Sequence, residues 1–366
     1  MSTNNRTGRK RDYVGVLSSV FAIVIGLLVG FVILLICNPS QALPGFVTIL
    51  TGAFTHGLKG VGQVFYYATP IILTGLSVGF AFKTGLFNIG TPGQFIVGAF
   101  AAVYVGIMWT GLGRIQWAVA LLAAILGGAL WGMVPGFLKA CFNVNEVIAS
   151  IMMNYIGMYM VNWIVKSYKP LFNNLRNESR NVAATAQIPK MGMDKLFPES
   201  SVGGGILLAV AAVLLIWVIL NKTTFGYELK AVGFNRDAGR YAGINEKRNI
   251  IMSMVIAGAI AGMAGGLLYL AGTGKHIEIK DVLASEGFTG ISVALLGLSH
   301  PIGVLFSGLF IAYLTAGGFY LQLFEFSTEI IDIIVAVIIY FSAFALIVKT
   351  ILTRMNRKRE KGGGRT

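Results

Sequence analysis

Residues 87–94 read FNIGTPGQ and interrupt a long apolar part of the chain. Two more polar positions follow, the pair Asn145-Glu146 and then Asn154. An unsatisfied polar group in hydrocarbon costs several kcal/mol, so amides and a carboxylate at membrane depth must line a cavity, pack against protein or bind a ligand. The natural hypothesis is that these residues mark a transport pathway.

The composition identifies the class of protein. Hydrophobic residues make up 55% of the 366 residues and charged residues only 12%, whereas about a quarter of a typical soluble domain is charged. The net charge of +14 comes largely from the termini and loops, where membrane orientation and anionic lipid explain it better than nucleic acid does. Cys37 and Cys141 lie at the edges of different apolar runs and the chain has three histidines, so neither a disulfide framework nor a metal site is expected.

Nine apolar runs have the roughly 17 to 25 residues that a bilayer-spanning helix needs. The basic tails 1–13 and 351–366 are predicted to be cytoplasmic. Two cytoplasmic ends require an even number of crossings, so Glu286 to Ser299 is taken as a short tenth span. The predicted fold is an all-α polytopic protein of the plasma membrane with about ten transmembrane helices and a transmembrane domain over 14–350. The nine runs are 14–36, 63–82, 93–109, 116–140, 147–166, 204–220, 250–272, 301–323 and 328–350.

Two loops have opposite predicted locations. The stretches 166–200 and 221–249 each contain six Lys or Arg residues, so basic counts alone do not orient them. The basic termini decide, and place the loop 167–203 outside the cell and the loop 221–249 in the cytoplasm. The cytoplasmic loop reads as two short helical pieces, the second capped by Asn235. A folded loop of this size indicates a docking surface for a cytoplasmic partner, with a passive connector as the alternative.

Glycine and proline indicate how the helices pack. The chain has 47 glycines, and spacings such as Gly258, Gly262, Gly265 and Gly266 favour close helix contacts. The segments 85–98 and 286–303 occupy similar positions in the two halves, and both are short, rich in glycine and contain a proline. Paired interrupted segments of this kind predict short or broken helices in two pseudo-repeats around a binding site.

Four segments together resemble the membrane permease subunit of bacterial ATP-binding-cassette (ABC) importers for simple sugars and nucleosides, and most of all its nucleoside branch. They are FNIGTPGQF, NEVIASIMMNYI, GYELKAVGFNRDAGRYAGIN and GFTGISVALLGLSHPIG, and the resemblance covers nearly all of 14–350. In that family the cytoplasmic loop inserts into a cleft of the ATPase subunit. The resemblance therefore implies an ATPase-coupling surface formed by Gly233, Asn235, Ala238, Gly239 and Gly243.

The chain departs from the family pattern in two places. Pro92 stands where the family commonly has the Glu of NIGxEGQ, so a role for that carboxylate does not carry over. Ala238-Gly239 replaces the paired alanines that are usual in the coupling loop. Because Gly lowers helix stability by about 1 kcal/mol relative to Ala, this coupling helix is expected to be looser or to depend on its partner for order.

The sequence lacks an ATPase motif of its own. The pattern GxxxxGK[ST] does not occur, and the nearest approach, GTGKH at 272–276, lacks its upstream spacing and its Ser or Thr. We expect no catalytic residue and no cofactor, because ATP would be bound by the partner ATPase. The resemblance implies two non-identical permeases around one pathway, an extracellular substrate-binding lipoprotein, and two cytoplasmic ATPase subunits that act through the coupling loops.

The polar residues of the proposed pathway suit a neutral polar ligand. Amides and hydroxyls pair with ribose hydroxyls and base edges, and Phe87 or Tyr155 offers a stacking surface. The alternative is that such residues only hydrogen-bond a neighbouring helix, which is worth about 0.6 kcal/mol on average. The predicted pathway residues are Phe87, Asn88, Thr91, Gln94, Asn145, Asn154, Thr289 and Ser292.

The carboxylates have other predicted roles. Glu146 lies where a helix would begin, so a first-turn position capped by Asn145 is favoured over ligand binding. Glu325, Glu329 and Asp332 are predicted to lie near the outer end of the last span and to contact a basic surface of the binding protein.

Rival functions fit the sequence less well. A simple-sugar permease of the same family remains the nearest alternative. An ion-coupled secondary transporter normally has ionisable residues in mid-span, and the central parts of the clear spans contain essentially none. If the protein were a channel, the folded basic loop would have no evident function. A membrane enzyme lacks a recognisable nucleophile, base or metal cluster.

Overall fold

The computed structural model describes residues 4–343. The predicted tail 351–366 and the last residues of the final predicted span lie outside the described residues. Over 4–343 the longer helices are α1 (Asn4–Cys37), α2 (Ala42–Thr55), α3 (Gly57–Lys83), α4 (Thr91–Met108), α5 (Gln116–Phe142), α6 (Glu146–Ser167), α8 (Gly205–Lys222), α9 (Thr224–Phe234), α11 (Glu246–Tyr269), α12 (Ser285–Leu296), α13 (Pro301–Phe319) and α14 (Thr328–Ala343). The short elements are α7 (Met193–Leu196), α10 (Arg236–Tyr241), three 3-10 turns (Thr110–Ile115, Ala184–Ala186, Tyr320–Phe324) and the antiparallel pair β1 (Phe172–Asn173) and β2 (Glu178–Ser179).

The predicted all-α membrane fold is confirmed. In the described residues, seven helical segments are long and apolar enough to cross a bilayer, and Ile23–Cys37 and α2 are shorter apolar helices. The predicted short span is the 12-residue α12. The count of ten crossings stays a prediction.

The helix α2 was not predicted. Its sequence, ALPGFVTILTGAFT, contains Pro44 and Gly45 near the start, which favour a turn. Pro44 falls in the first helical turn, where the missing N–H would have no intrahelical partner. The helix therefore tolerates a residue that normally indicates a break.

Glycines bring α4, α5 and α11 into backbone contact. A Cβ atom added to Gly132 would lie 2.5 Å from the carbonyl oxygen of Met254, and one added to Gly128 would lie 2.7 Å from the Cα atom of Gly262. An added Cβ at Gly258 would overlap the backbone of Gly128. The predicted close packing at the glycine repeat of α11 is confirmed, and larger residues there would separate the helices.

The two predicted loops lie at opposite ends of the helices. At one end, the loop 168–204 packs on the residues after α11, where Ser179 N donates to Ile277 O at 2.9 Å. The hydroxyl of Thr185 in the same loop bonds Gln116, the first residue of α5. At the other end of α5, Lys139 pairs with Glu146 close to α9 and α10. We call these the 168–204 end and the α9–α10 end; their sidedness stays a prediction.

The two proline segments begin helices. Pro92 is the second residue of α4 and Pro301 the first residue of α13, positions that favour proline. The chain turns just before each of them, at 84–90 and 297–300. The two segments also meet, because a Cβ atom on Gly287 of α12 would lie 2.6 Å from Pro92.

Candidate functional site

A cleft opens among α3, α12, α13 and α14 at the 168–204 end. Its volume is about 610 Å³, within the range of roughly 300 to 1,000 Å³ for small-molecule sites. Two of the predicted pathway residues, Thr289 and Ser292, line it. We call it the aromatic cleft, and its polar and aromatic lining consists of Tyr66, Tyr67, Lys275, Ser285, Glu286, Phe288, Thr289, Ser292, Thr315 and Asp332.

The cleft offers aromatic faces and hydroxyl groups. Tyr66 and Tyr67 lie edge to face with ring centroids 5.3 Å apart, and Phe288 is 41% exposed. Thr289 Oγ1 donates to Ser285 O at 3.1 Å, and Thr315 Oγ1 donates to Ile311 O at 3.0 Å. Because these hydroxyls donate within their own helix, their lone pairs are left to accept hydrogen bonds from a ligand.

Two side-chain contacts hold the segment after α11 beside the cleft. Lys275 Nζ lies 3.2 Å from Glu286 Oε1, and the hydroxyls of Tyr66 and Thr273 lie 3.0 Å apart. Asp332 is exposed on α14, and none of the Lys and Arg side chains that the structure describes pairs with it. The cleft therefore combines one ion pair with one carboxylate that is open to a ligand.

The amides of the FNIGTPGQ stretch lie elsewhere, at the α9–α10 end of α4. Asn88 and Gln94 are fully buried and bond reciprocally. Asn88 Nδ2 donates to Gln94 Oε1 at 2.8 Å, and Gln94 Nε2 donates to Asn88 Oδ1 at 3.0 Å. Asn88 Oδ1 also accepts from Gly90 N at 3.2 Å, and Asn88 Nδ2 lies 3.3 Å from Ser77 Oγ. Their hydrogen-bonding groups are largely used within the protein.

Asn154 of α6 joins the same group from the side. Its Oδ1 accepts from Gly93 N at 2.9 Å, and its Nδ2 donates to Ile89 O at 3.0 Å. Thr91 is buried and donates to Asn88 O at 3.1 Å. We call Asn88, Gln94 and Asn154 the amide cluster. The cluster fixes the turn 84–90, and contact of its members with substrate stays a prediction.

Ser150 and Phe87 lie beside the amide cluster. Ser150 Oγ is buried and has no hydrogen-bond partner among the described residues. A Cβ atom on Gly90 would lie 3.2 Å from Ser150 Cβ, so this serine faces the turn. Phe87 is half-buried and stacks on Phe82 with centroids 5.2 Å apart. A ligand would have to displace this stacking to use the Phe87 ring.

Asn145 and Glu146 lie at the start of α6, in the predicted cap and first-turn positions, whereas a role in ligand binding is not tested. Asn145 caps α6, where its Oδ1 accepts from Val147 N at 2.9 Å. Glu146 is in the first turn of α6 and pairs with Lys139 at 2.9 Å. Asn145 was also named as a pathway residue, but it lies at the opposite end from the aromatic cleft.

The loop 221–249 contains the helices α9 and α10, which confirms the prediction of two short helical pieces. The predicted cap is confirmed, because Asn235 Oδ1 accepts from Ala238 N at 3.0 Å. Asn235, Ala238 and Gly243 are exposed, whereas Gly239 is buried and Gly233 packs against the turn 84–90.

The two most exposed aromatic residues of this loop were not predicted as part of the coupling surface. Phe234 is 95% exposed and Tyr241 is 93% exposed. Large exposed apolar side chains at one surface indicate an interaction site. The sequence does contain a sign of this surface, because each helical piece of this polar loop ends in an aromatic residue, Phe234 or Tyr241.

The predicted acidic group is only partly described. Asp332 lines the aromatic cleft, and Glu325 is exposed with a φ of 63°. The side chain of Glu329 lies outside what the structure describes. Contact of these residues with a binding protein stays a prediction.

The chain has apolar helices long enough to span a membrane, a cleft at one end and a folded loop at the other. These features together are those of a membrane permease. The family described as "Branched-chain amino acid transport system / permease component" matches residues 60–343, and the chain belongs to that family.

Three relatives narrow the class further. The chain is 38% identical to the guanosine ABC transporter permease protein NupP of Bacillus subtilis, over 93% of this chain and 96% of that protein. It is 33% identical to the nucleoside ABC transporter permease protein NupB of Lactococcus lactis, over 96% of this chain and 95% of that protein. It is 32% identical to the glucose ABC transporter permease protein TsgB13 of Haloferax volcanii, over 81% of this chain and 78% of that protein. No solved structure matches the chain.

The comparisons confirm the resemblance to the permease subunit of ABC importers and to its nucleoside branch. They also confirm that the chain is a transport subunit and not an enzyme, because its relatives are transporter permeases.

Proposed function

We propose that this chain is the membrane-spanning subunit of an ATP-driven importer that translocates nucleosides. The aromatic cleft carries this proposal, because it places aromatic faces beside hydroxyl groups within one cavity of about 610 Å³. A nucleoside presents a flat base and a ribose rich in hydroxyls, and so needs both kinds of surface. The similarity to guanosine and nucleoside permeases over nearly the whole chain supports the same substrate class.

The base and the sugar would use different parts of the cleft. We place the base against Tyr67 and Phe288, two aromatic residues that line this cavity and can stack on a base. The ribose hydroxyls would donate to Thr289 and Ser292, which line the same cavity. The carboxylate of Asp332 would accept from N–H groups of the base edge.

The proposed partners follow from the two ends of the molecule. A cytoplasmic ABC ATPase would dock on α9 and α10, where Phe234 and Tyr241 are exposed. A second, non-identical permease would complete the pathway, and an extracellular substrate-binding lipoprotein would deliver the nucleoside. In this arrangement both termini are cytoplasmic, the 168–204 end faces outwards, and the basic residues of the termini contact the anionic inner leaflet of the plasma membrane.

The test is ATP-dependent uptake in vesicles. The chain is reconstituted with its ATPase, second permease and binding protein, and labelled uridine, guanosine and ribose are supplied in turn. Nucleoside uptake without ribose uptake is expected. Uptake of ribose alone would support an ATP-driven importer whose substrates are simple sugars instead of nucleosides. This is the alternative that the similarity to the glucose permease represents. Uptake driven by a proton or sodium gradient without the ATPase would contradict the importer itself.

A further inference from the structure

Two glycine backbones join the α9–α10 loop to the turn 84–90. A Cβ atom added to Gly233 would lie 2.5 Å from the carbonyl carbon of Thr84 and 2.7 Å from Gly85 N. A Cβ atom added to Gly85 would lie 2.5 Å from Gly233 Cα and 2.6 Å from Gly233 O. Neither position has room for a side chain, so Gly233 of α9 and Gly85 of the turn meet through main chain.

Close approach explains the glycine at Gly233. This residue lies within the last turn of α9, where glycine is less favourable than alanine. Its φ is not in the left-handed region, so its conformation does not require glycine. Gly85 has a φ of +76° and needs glycine for its conformation as well as for space.

The turn that α9 touches is tied to three other helices. Asn88, within the turn, bonds Gln94 of α4 at 2.8 Å and lies 3.3 Å from Ser77 of α3. Asn154 of α6 bonds both Ile89 and Gly93. Because these buried bonds hold the turn to α3, α4 and α6, a displacement of the turn displaces those helices with it.

We infer that the Gly233–Gly85 contact transmits movement of α9 to the turn 84–90, and that the Asn88–Gln94 pair keeps the turn rigid so that the movement reaches the helices. Gly233 and Gly85 are thus positioning residues, and the amide cluster acts in transmission instead of touching substrate. The inference rests on the proposed function, because it needs an ATPase that moves the loop.

The test measures ATP hydrolysis and nucleoside uptake together in the reconstituted importer. Gly233→Ala and Gly85→Asn are compared with wild type, since Asn tolerates a positive φ but adds a side chain at the contact. Each is expected to lower uptake about tenfold while hydrolysis continues, within the range found for mutations in coupling networks. The matched controls are Gly111→Ala and Gly192→Asn, whose added Cβ atoms meet nothing within 4 Å, and which are expected to match wild type.

A double variant tests whether the two glycines act through one contact. Gly85→Asn combined with Gly233→Ala is expected to lose no more uptake than the more damaging single variant. Multiplied losses would show that the residues act independently, and would overturn the inference.

The amide cluster gives a second, separate test. Asn88→Ala is expected to raise the ATP hydrolysed per nucleoside imported, with the KM for uptake and the order of preferred nucleosides unchanged. A changed KM or preference with an unchanged ratio would place Asn88 against the substrate, and would overturn the transmission role.

The outcomes separate the inference from the proposed function. Absence of ATP-dependent uptake in wild type contradicts the proposed function. Normal coupling in both glycine variants leaves the proposed function intact and overturns the inference. Loss of the ATPase from the purified complex of either glycine variant would assign the contact to assembly, and would also overturn it.

Discussion

The aromatic cleft and the amide cluster are both polar, but they use their polar groups differently. In the cleft, Thr289 and Thr315 donate to carbonyls of their own helices and leave acceptor oxygens at the cavity wall. In the amide cluster, Asn88 and Gln94 are fully buried and bond each other. The hydrogen-bonding capacity of the cleft is open to a ligand, whereas that of the cluster is used by the fold.

The same difference sets the energetic cost of a substitution. A buried amide that loses its partner is left unsatisfied, which costs about 1 to 3 kcal/mol per group. When a hydroxyl beside a water-accessible cavity is removed, its former partner can hydrogen-bond to water, so the substitution costs little stability. Stability and transport are therefore expected to respond to different residues.

The largest effect is expected for stability in the amide cluster. Asn88→Ala leaves both polar atoms of Gln94 without this partner in a buried site, so the free energy of unfolding is expected to fall by about 3 kcal/mol. Denaturant unfolding of the purified chain in detergent measures it. Thr289→Ala in the cleft is the comparison, with an expected change below about 0.5 kcal/mol. Equal losses in the two variants would remove the distinction between the two regions.

The sequence identified the polar stretch but not the hydrogen-bond partners of its residues within the protein. Asn88 lies in the turn 84–90 and Gln94 six positions later in α4, so their pairing depends on how that turn folds. Asn154 comes from a different helix, and no pattern in the chain indicates that it meets Gly93. Polar residues in an apolar chain predict a buried or lining role equally well, and only the packing decides between them.

The cleft was predictable only in part. Thr289 and Ser292 were predicted as pathway residues, whereas Tyr66 and Tyr67 were not. Tyrosines near the end of a span are usual at the membrane interface, so their sequence position gives no sign of a cavity. The contact between Gly233 and Gly85 joins distant parts of the chain and likewise has no local signal.

The next largest effect is expected for transport through the cleft. Phe288→Leu removes a stacking face, and stacking of a base on an aromatic residue is worth about 1 to 3 kcal/mol. Nucleoside uptake at limiting concentration is therefore expected to fall about tenfold, with little change in stability because Phe288 is 41% exposed. Phe137→Leu, in an exposed apolar part of α5, is the matched control. Equal uptake in Phe288→Leu and wild type would show that the base does not stack there.

A smaller, selective effect is expected at Asp332. Its carboxylate can accept two N–H groups from the edge of guanine but only one from uracil. Asp332→Asn is expected to lower guanosine uptake by about fivefold and uridine uptake by less, because the amide oxygen of Asn still accepts one N–H and the loss corresponds to about 1 kcal/mol, the net worth of one ordinary hydrogen bond. Competition between the two labelled nucleosides measures the ratio directly. An equal fall for both would assign Asp332 to a role that does not read the base, such as the predicted contact with the binding protein.

The smallest effect is expected at Ser150, the one buried hydroxyl beside the amide cluster that has no partner among the described residues. Removing an unsatisfied buried hydroxyl relieves a cost and leaves only a small void, so Ser150→Ala is expected to change the free energy of unfolding by less than about 0.5 kcal/mol, or to raise it. Denaturant unfolding beside Asn88→Ala gives the measurement. A loss above about 1 kcal/mol would show that this hydroxyl has a partner, such as a bound water. The amide cluster would then be hydrated, and the turn 84–90 would be less firmly tied to α6 than its direct hydrogen bonds indicate.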